Sequence, residues 1–319
     1  MNYQWYPGHM TKALRMMQEN IKLIDIVIEL LDARAPLSSR NPEIDNLAKG
    51  KARLIVLNKA DLADEKATKA FKKYFQDMGY TTAAMDSRNS GTAKTLNEAV
   101  RKACAAKIEQ NRKKGIINRP MRAMVTGIPN VGKSTLINTL AGKASARTGN
   151  RPGVTKGKQW IRLNEQIELL DTPGVLWPKF EDQKIGERLA IIGTINDDIL
   201  EKRELAAALT DICLKYNREA ISLRYGLSDL DKYDLRDSGN ADAPCPGNAD
   251  HTIAIFEIIE EIAKKRGALL KGGEADIDRA SALILDDYRS GRLGKITLDR
   301  INESFGGSSR QSGGSGRKK

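Results

Sequence analysis

Cysteine is scarce: Cys104, Cys213 and Cys245 are the three in 319 residues. Their odd number and wide spacing exclude a disulfide scaffold and a cysteine metal site, so a reducing cytosol is the expected setting. No run approaches the roughly 18 apolar residues that a membrane span needs. The opening Met1-Asn2-Tyr3-Gln4-Trp5 lacks the pattern of a signal peptide. Coiled-coil heptads are missing too, which leaves a monomer as the expected state. Acidic residues are in deficit, with 41 Asp and Glu against 53 Lys and Arg and a net charge of +12. That balance favours an anionic partner, RNA above all, although solubility alone would also account for it. Forty per cent hydrophobic residues over this length allow two domains with a core in each.

One stretch organises the rest: Gly127-Ile128-Pro129-Asn130-Val131-Gly132-Lys133-Ser134-Thr135. It follows an apolar run, Ala123-Met124-Val125-Thr126, that reads as a buried strand. It precedes Leu136-Ile137-Asn138-Thr139-Leu140, which reads as the first turns of a helix. Strand, glycine-bounded loop, Lys-Ser and helix make up a phosphate-binding loop. Gly127 and Gly132 allow backbone angles that side chains forbid. The amides of Asn130, Val131, Gly132 and their neighbours can then face an anion at the positive end of the helix dipole. Lys133 adds a mobile charge for the outer phosphates, and the Ser134 hydroxyl, next to Thr135, is placed to ligate Mg²⁺.

Upstream, residues 11–22 have helical spacing and residues 23–31 read as a strand mostly apolar on both faces, as in a parallel sheet covered by helices. That strand ends in Asp32-Ala33-Arg34-Ala35-Pro36, at the edge where open α/β sheets bind ligands. The strand at 53–57 delivers Asn58-Lys59-Ala60-Asp61. An Asp carboxylate can accept two hydrogen bonds from guanine's ring N–H and exocyclic amine, a donor pair that adenine lacks. The Asn58 amide can serve the other edge of the base, and the Lys59 stem can cover the ring. After a helix at 65–78 and a strand at 81–85, the loop Asp86-Ser87-Arg88-Asn89-Ser90-Gly91 can close over the base and offer it backbone N–H groups. A plain strand-to-helix turn would look similar. A helix at 96–112 is anchored by Leu96, Val100 and Ile108.

Downstream of the phosphate loop, residues 144–155 are polar and glycine-rich, and Thr155 is a second candidate hydroxyl for Mg²⁺. Residues 159–163 and 167–170 read as a hairpin ending in Asp171-Thr172-Pro173-Gly174. Asp171 would hold a magnesium-bound water, and the Gly174 amide would sense the terminal phosphate. From about residue 182 the pattern is helical, at 185–195, 200–216, 253–265 and 276–289, with a polar loop at 237–250. Residues 306–319 are Gly/Ser-rich and basic, and read as a disordered tail.

These motifs resemble the signature elements of small GTP-binding proteins, but in a different order. The Asn-Lys-x-Asp segment ordinarily follows the phosphate loop, whereas here it precedes it, which is a circular permutation. The chain resembles the ribosome biogenesis GTPase A family of permuted GTPases. The resemblance rests on Trp5-Tyr6-Pro7-Gly8-His9-Met10, Asp32-Ala33-Arg34-Ala35-Pro36, Arg40-Asn41-Pro42, Asn58-Lys59-Ala60-Asp61, the phosphate loop, Pro152-Gly153-Val154-Thr155 and Asp171-Thr172-Pro173-Gly174-Val175-Leu176-Trp177-Pro178. It covers essentially residues 1–300. The loop after the third strand carries Asp86-Ser87-Arg88 where GTPases commonly have a Ser-Ala pair.

The resemblance implies an α/β fold: a circularly permuted P-loop GTPase domain over residues 1–181, its mostly parallel sheet covered by helices on both faces. A small all-α domain for RNA or the ribosome would follow over 182–305, then the tail. It implies GTP hydrolysis to GDP, coupled to late maturation of the large ribosomal subunit precursor, with rRNA and ribosomal proteins as partners and a cytoplasmic setting. Val175 stands where many GTPases have a water-orienting Gln. The resemblance points to His9 for that task, while a packing histidine beside Trp5 and Tyr6 is the competing reading. It also makes Asn130 a K⁺ ligand, where sequence alone would call it a loop-shaping residue. A nucleotide-stabilised RNA-binding scaffold with incidental hydrolysis is the alternative function.

Overall fold

The computed structural model describes residues 8–116, 119–141, 159–162, 167–171, 182–195, 202–228, 230 and 249–302, and of residues 8–10, 159, 171, 249 and 250 the backbone alone. Its strands are β1 (Ile26–Asp32), β2 (Ala52–Asn58), β3 (Thr81–Met85), β4 (Met121–Gly127), β5 (Gln159–Arg162) and β6 (Ile167–Asp171). The helices of the first part are α1 (Gly8–Asn20), α2 (Glu43–Leu47), α3 (Glu65–Asp77), α4 (Thr92–Ala103), α5 (Ala105–Lys113) and α6 (Lys133–Ala141). The helical C-terminal region holds α7 (Gln183–Ile191), α8 (Lys202–Tyr216), α9 (Arg218–Tyr225), α10 (Ala249–Arg266) and α11 (Ile277–Arg289).

The described strands form one sheet in the order β3-β2-β1-β4-β6-β5. All its pairings are parallel except the β5–β6 hairpin. Every residue of β1 is buried, as its two apolar faces require. Alternation along β2 divides the core. Leu54 and Val56 join one buried cluster, and Ile55 and Leu57 join another with Leu31, Phe71 and Phe75. The first cluster extends into the helical region through Leu189, Leu209, Ile259 and Ile284. Begun at β4, the same sheet would be read β4, β5, β6, β1, β2, β3. That rotation of the chain order is the permutation implied by the motif order.

Local chemistry explains where elements begin and end. Asp64 caps α3, its carboxylate accepting from Ala67 N at 2.7 Å. Asp276 caps α11 in the same way, accepting from Arg279 N at 2.9 Å. The first strand starts later than its sequence predicts. Residues Ile21–Leu23 tighten into a 3₁₀ turn closed by Ile24 N on Ile21 O, and Leu23 is exposed. The helix predicted over 96–112 is two helices, broken at Cys104. Leu96 and Val100 are buried as predicted, but Ile108 is 40% exposed and anchors nothing. Helix α9 was not foreseen: Asn217 interrupts the helical run, and Gly226, left-handed at φ 69°, ends the new helix. Cys104 and Cys213 are free and buried, and burial pushes both thiols up to about 12, which leaves them inert.

The chain after α11 returns to the sheet. Leu298 N donates to Arg34 O at 2.6 Å. The fully buried Asp299 carboxylate accepts from Leu37 N (2.6 Å), Ser38 N (2.8 Å), Ser38 Oγ (2.7 Å) and Arg188 Nη1 (2.9 Å). One carboxylate thus ties the loop after β1 to α7 and to the last described segment.

Candidate functional site

Parallel register brings the sequence motifs to one edge. Asp32 pairs with Asn58, Asn58 with Met85, Leu30 with Gly127 and Val125 with Asp171. The carboxyl ends of β1, β2, β3, β4 and β6 therefore carry Asp32 and its loop, Asn58 to Asp61, the loop from Asp86, the phosphate loop and Asp171, as expected for an open α/β sheet.

Asn58 joins the two halves of the site. Its Nδ2 donates to the Val131 carbonyl at 2.7 Å, and its Oδ1 accepts from Ser87 N at 3.0 Å and from Ser87 Oγ at 2.7 Å. Sequence reasoning assigns this amide to the base, whereas the structure uses both its polar atoms within the protein. The Ser87 N–H is likewise committed to Asn58, so Ser87 acts here by fixing the loop that carries it. Both residues are buried. The amide reaches the phosphate loop because nothing stands in the way: a Cβ on Gly132 would lie 2.4 Å from Asn58 Nδ2. At Gly127 a Cβ would lie 2.6 Å from Leu30 O, so the loop and β1 also need that glycine to approach.

Lys133 opens α6, and its ammonium folds back to donate to Gly127 O at 3.0 Å and Ile128 O at 2.9 Å. Val131 is buried, while Ser134 and Thr135 are half-buried on the first turn of α6. Asn130 takes a left-handed backbone, φ 59°, and its Nδ2 donates to Gly193 O at 2.8 Å, just past the end of α7. The phosphate loop is therefore bonded directly to the helical region. A loop-shaping Asn, the reading from residues alone, fits the backbone angle. The reach to Gly193 had no signal in sequence.

On the base side, Lys59 is left-handed at φ 56°, and Ala60 and Asp61 begin a 3₁₀ turn over Ala60–Leu62. The Lys59 ammonium lies 3.1 Å from Asp32 Oδ2. Asp32 is also forked by Arg34, with Nε at 2.9 Å and Nη2 at 2.8 Å. Burial opposes ionisation of Asp32, but the charges of Arg34 and Lys59 outweigh it and hold its carboxyl well below the usual range. Burial lowers the Lys59 ammonium, with Asp32 acting against that shift. The Asp32–Arg34 pair under Lys59 was visible in sequence only as an Asp-x-Arg at a strand end, with no role attached. Arg40, from the Arg-Asn-Pro motif, lies away from this edge, bonded to Asp45 at 2.6 Å and Tyr80 Oη at 2.8 Å.

Asp61 Oδ2 accepts from Arg88 Nη2 at 2.6 Å, while its Oδ1 is buried with no partner. Arg88 also holds Asp86, through Nε at 2.9 Å and Nη2 at 3.1 Å. That hydrogen bonding lowers the Asp86 carboxyl below its ordinary value.

Thr155, Gly174 and the segment holding Trp5 lie outside the described residues. His9 is on the first turn of α1, and Asp171 ends β6 one strand from the phosphate loop, both known by backbone alone. For Mg²⁺ the arrangement fits: the Ser134 hydroxyl follows the loop lysine, and the backbone of Asp171 lies at the same sheet edge. For K⁺, Asn130 donates through its amide nitrogen, so a cation would be held through the amide oxygen. Among the described residues there is no group of three or more His, Cys, Asp or Glu that could hold a metal ion. None of the described helices is long and apolar enough to cross a membrane.

Comparison with known proteins adds to this geometry. A family model described as 50S ribosome-binding GTPase matches residues 122–224. The match begins inside β4 and leaves Asn58 and Asp61 upstream of it, as a permuted order requires. Ribosome biogenesis GTPase A of Bacillus cereus is 44% identical over 303 residues, covering 95% of this chain and 95% of that protein. The protein of the same name from Thermotoga maritima is 30% identical over 296 residues, covering 93% of this chain and 94% of its own. Among solved structures, GNP-bound YlqF from T. maritima is 26% identical with a TM-score of 0.57, covering 92% of this chain and 100% of that one. A GDP-bound YlqF gives 26% identity and a TM-score of 0.59, covering 91% and 100%.

Proposed function

This chain belongs to the ribosome biogenesis GTPase A family and is a GTPase, and from that premise we propose that it works as a switch in late assembly of the large ribosomal subunit, its turnover stimulated by the ribosomal particle. The single observation that carries the site assignment is the Asn58 amide joining the phosphate loop at Val131 to the base loop at Ser87. Because of that bridge, Lys133 and Asp61 can serve the two ends of one nucleotide.

In this reading Asp61 reads the guanine edge, Lys59 and Ala60 flank the ring, and Asp86 and Ser87 belong to the loop that closes over it. Asn130, Val131, Gly132, Lys133, Ser134 and Thr135 cradle the phosphates, and Gly174 senses the outermost one. Ser134, Thr155 and, through water, Asp171 would hold Mg²⁺, and Asn130 would hold K⁺. Bound there, the cations would neutralise charge that develops on the phosphates. Val175 cannot orient a water, and His9 takes that role.

Residues 182–305 form the ribosome-facing domain, and residues 306–319 a basic tail. The net charge of +12 suits an rRNA-rich precursor in the cytoplasm. The bond from Asn130 to Gly193 supports a switch, because it gives the phosphate loop a direct hold on α7. Co-sedimentation with large-subunit particles, in a non-hydrolysable GTP analogue against GDP, tests the proposal. Retention with the analogue, release with GDP and particle-stimulated turnover are the expected results. Equal retention in both nucleotides would overturn the switch.

A further inference from the structure

The base-reading carboxylate already has a partner of the wrong kind. Arg88 Nη2 donates to Asp61 Oδ2 at 2.6 Å. A guanidinium is planar and presents N–H donors in a fixed fork, and it favours carboxylates for that reason. Guanine presents a planar edge with a ring N–H and an exocyclic amine, which is the same chemistry directed at the same group. Arg88 satisfies only half of Asp61, since the buried Oδ1 accepts nothing. A ligand with two adjacent donors would satisfy both oxygens.

We propose that Arg88 is an internal surrogate for guanine: it holds the base-reading carboxylate and must be displaced before a guanine nucleotide seats. This rests on Asp61 as the reader of the base. Displacement strands no charge, because Asp86 already binds Arg88 through Nε at 2.9 Å and Nη2 at 3.1 Å. Arg88 can withdraw fully onto Asp86 while Asp61 turns to the nucleotide. The Arg88 side chain is 66% exposed, so it has room to move and no packing to lose. The contact therefore reduces the fraction of protein ready to bind, and it acts on association. Once the base is seated, Arg88 no longer touches Asp61, so dissociation is independent of it.

GDP binding to the full chain, by titration and by stopped-flow, tests this with Arg88→Ala and with the uncharged, longer Arg88→Gln. An exposed ion pair of this kind corresponds to about a two- to fivefold effect. Both variants are expected to bind GDP tighter by about that factor, entirely through a faster association rate. The gain is expected to shrink as salt is raised toward about 1 M, because an exposed ion pair weakens with screening. Unchanged or weaker binding in both variants, or a change confined to dissociation, would overturn the proposal. Asp61→Asn separates it from the reading beneath it. If Asp61→Asn leaves GDP affinity intact, the base assignment fails. If Asp61→Asn loses GDP while both Arg88 variants bind like the parent, the surrogate alone fails.

Discussion

Gly132 and Asn58 approach so closely that no side chain fits between them: a Cβ on Gly132 would lie 2.4 Å from Asn58 Nδ2. Gly132 also has φ 102°, a conformation that costs an L-residue dearly. Gly132→Ala is therefore expected to weaken GDP binding at least about tenfold by pushing the amide off Val131, a loss of about 1.4 kcal/mol or more. Gly79 is the control. It too is left-handed, at φ 89°, but nothing lies within 4 Å of its Cβ position. Gly79→Ala should lower stability by about 1 kcal/mol and leave nucleotide affinity unchanged. Paired titration and denaturant curves check both outcomes.

Asp299 carries a different burden. Removing it leaves the Arg188 guanidinium, 6% exposed, without that counter-charge, and takes the acceptor from Leu37 N and Ser38 N. Breaking one partner of a buried ion pair costs about 3–5 kcal/mol. Asp299→Ala should lower the urea midpoint accordingly. A shift corresponding to less than about 1 kcal/mol would show that the segment is held by its apolar contacts instead.

Acid should weaken the fold partly through Asp32. Arg34 and Lys59 hold the Asp32 carboxyl well below its unfolded value, against the effect of its burial. A depressed carboxylate stabilises the fold above its unfolded pKa of about 3.9 and loses that contribution as pH falls below it. Unfolding free energy measured from pH 6 down to pH 3 should therefore fall. The fall should be shallower in Asp32→Asn, which has no such proton to take up. Equal slopes would remove Asp32 from the account.

His9 gives the kinetic prediction. If it orients the attacking water, His9→Ala should slow turnover about 10²- to 10⁴-fold with GTP affinity little changed. Particle-stimulated single-turnover rates check this. A normal rate would return His9 to packing.

Much of this architecture could be read beforehand, and the reasons are specific. The phosphate loop was legible because its glycines, lysine and serine are adjacent in sequence and set by backbone geometry. Parallel strands such as β1 and β2 were legible because both faces are covered, so they read as mostly apolar runs, with Glu29 the interruption in β1. The double role of Asn58 was not, since its partners Ser87 and Val131 lie 29 and 73 residues further along the chain. Asp299 and Arg188 were silent for the same reason. The break at Cys104 escaped because the apolar spacing runs across it and no Gly or Pro marks it.

The place of β4 in the sheet has a consequence for how the molecule is made. On a translating ribosome, β1, β2 and β3 emerge before β4, yet β4 is the neighbour that covers the free side of β1. The half of the sheet that carries Asn58 and Asp61 is therefore synthesised first and waits with an open hydrogen-bonding edge. The nascent chain gains a protected β1, and a place for phosphates, only when its middle third has been translated.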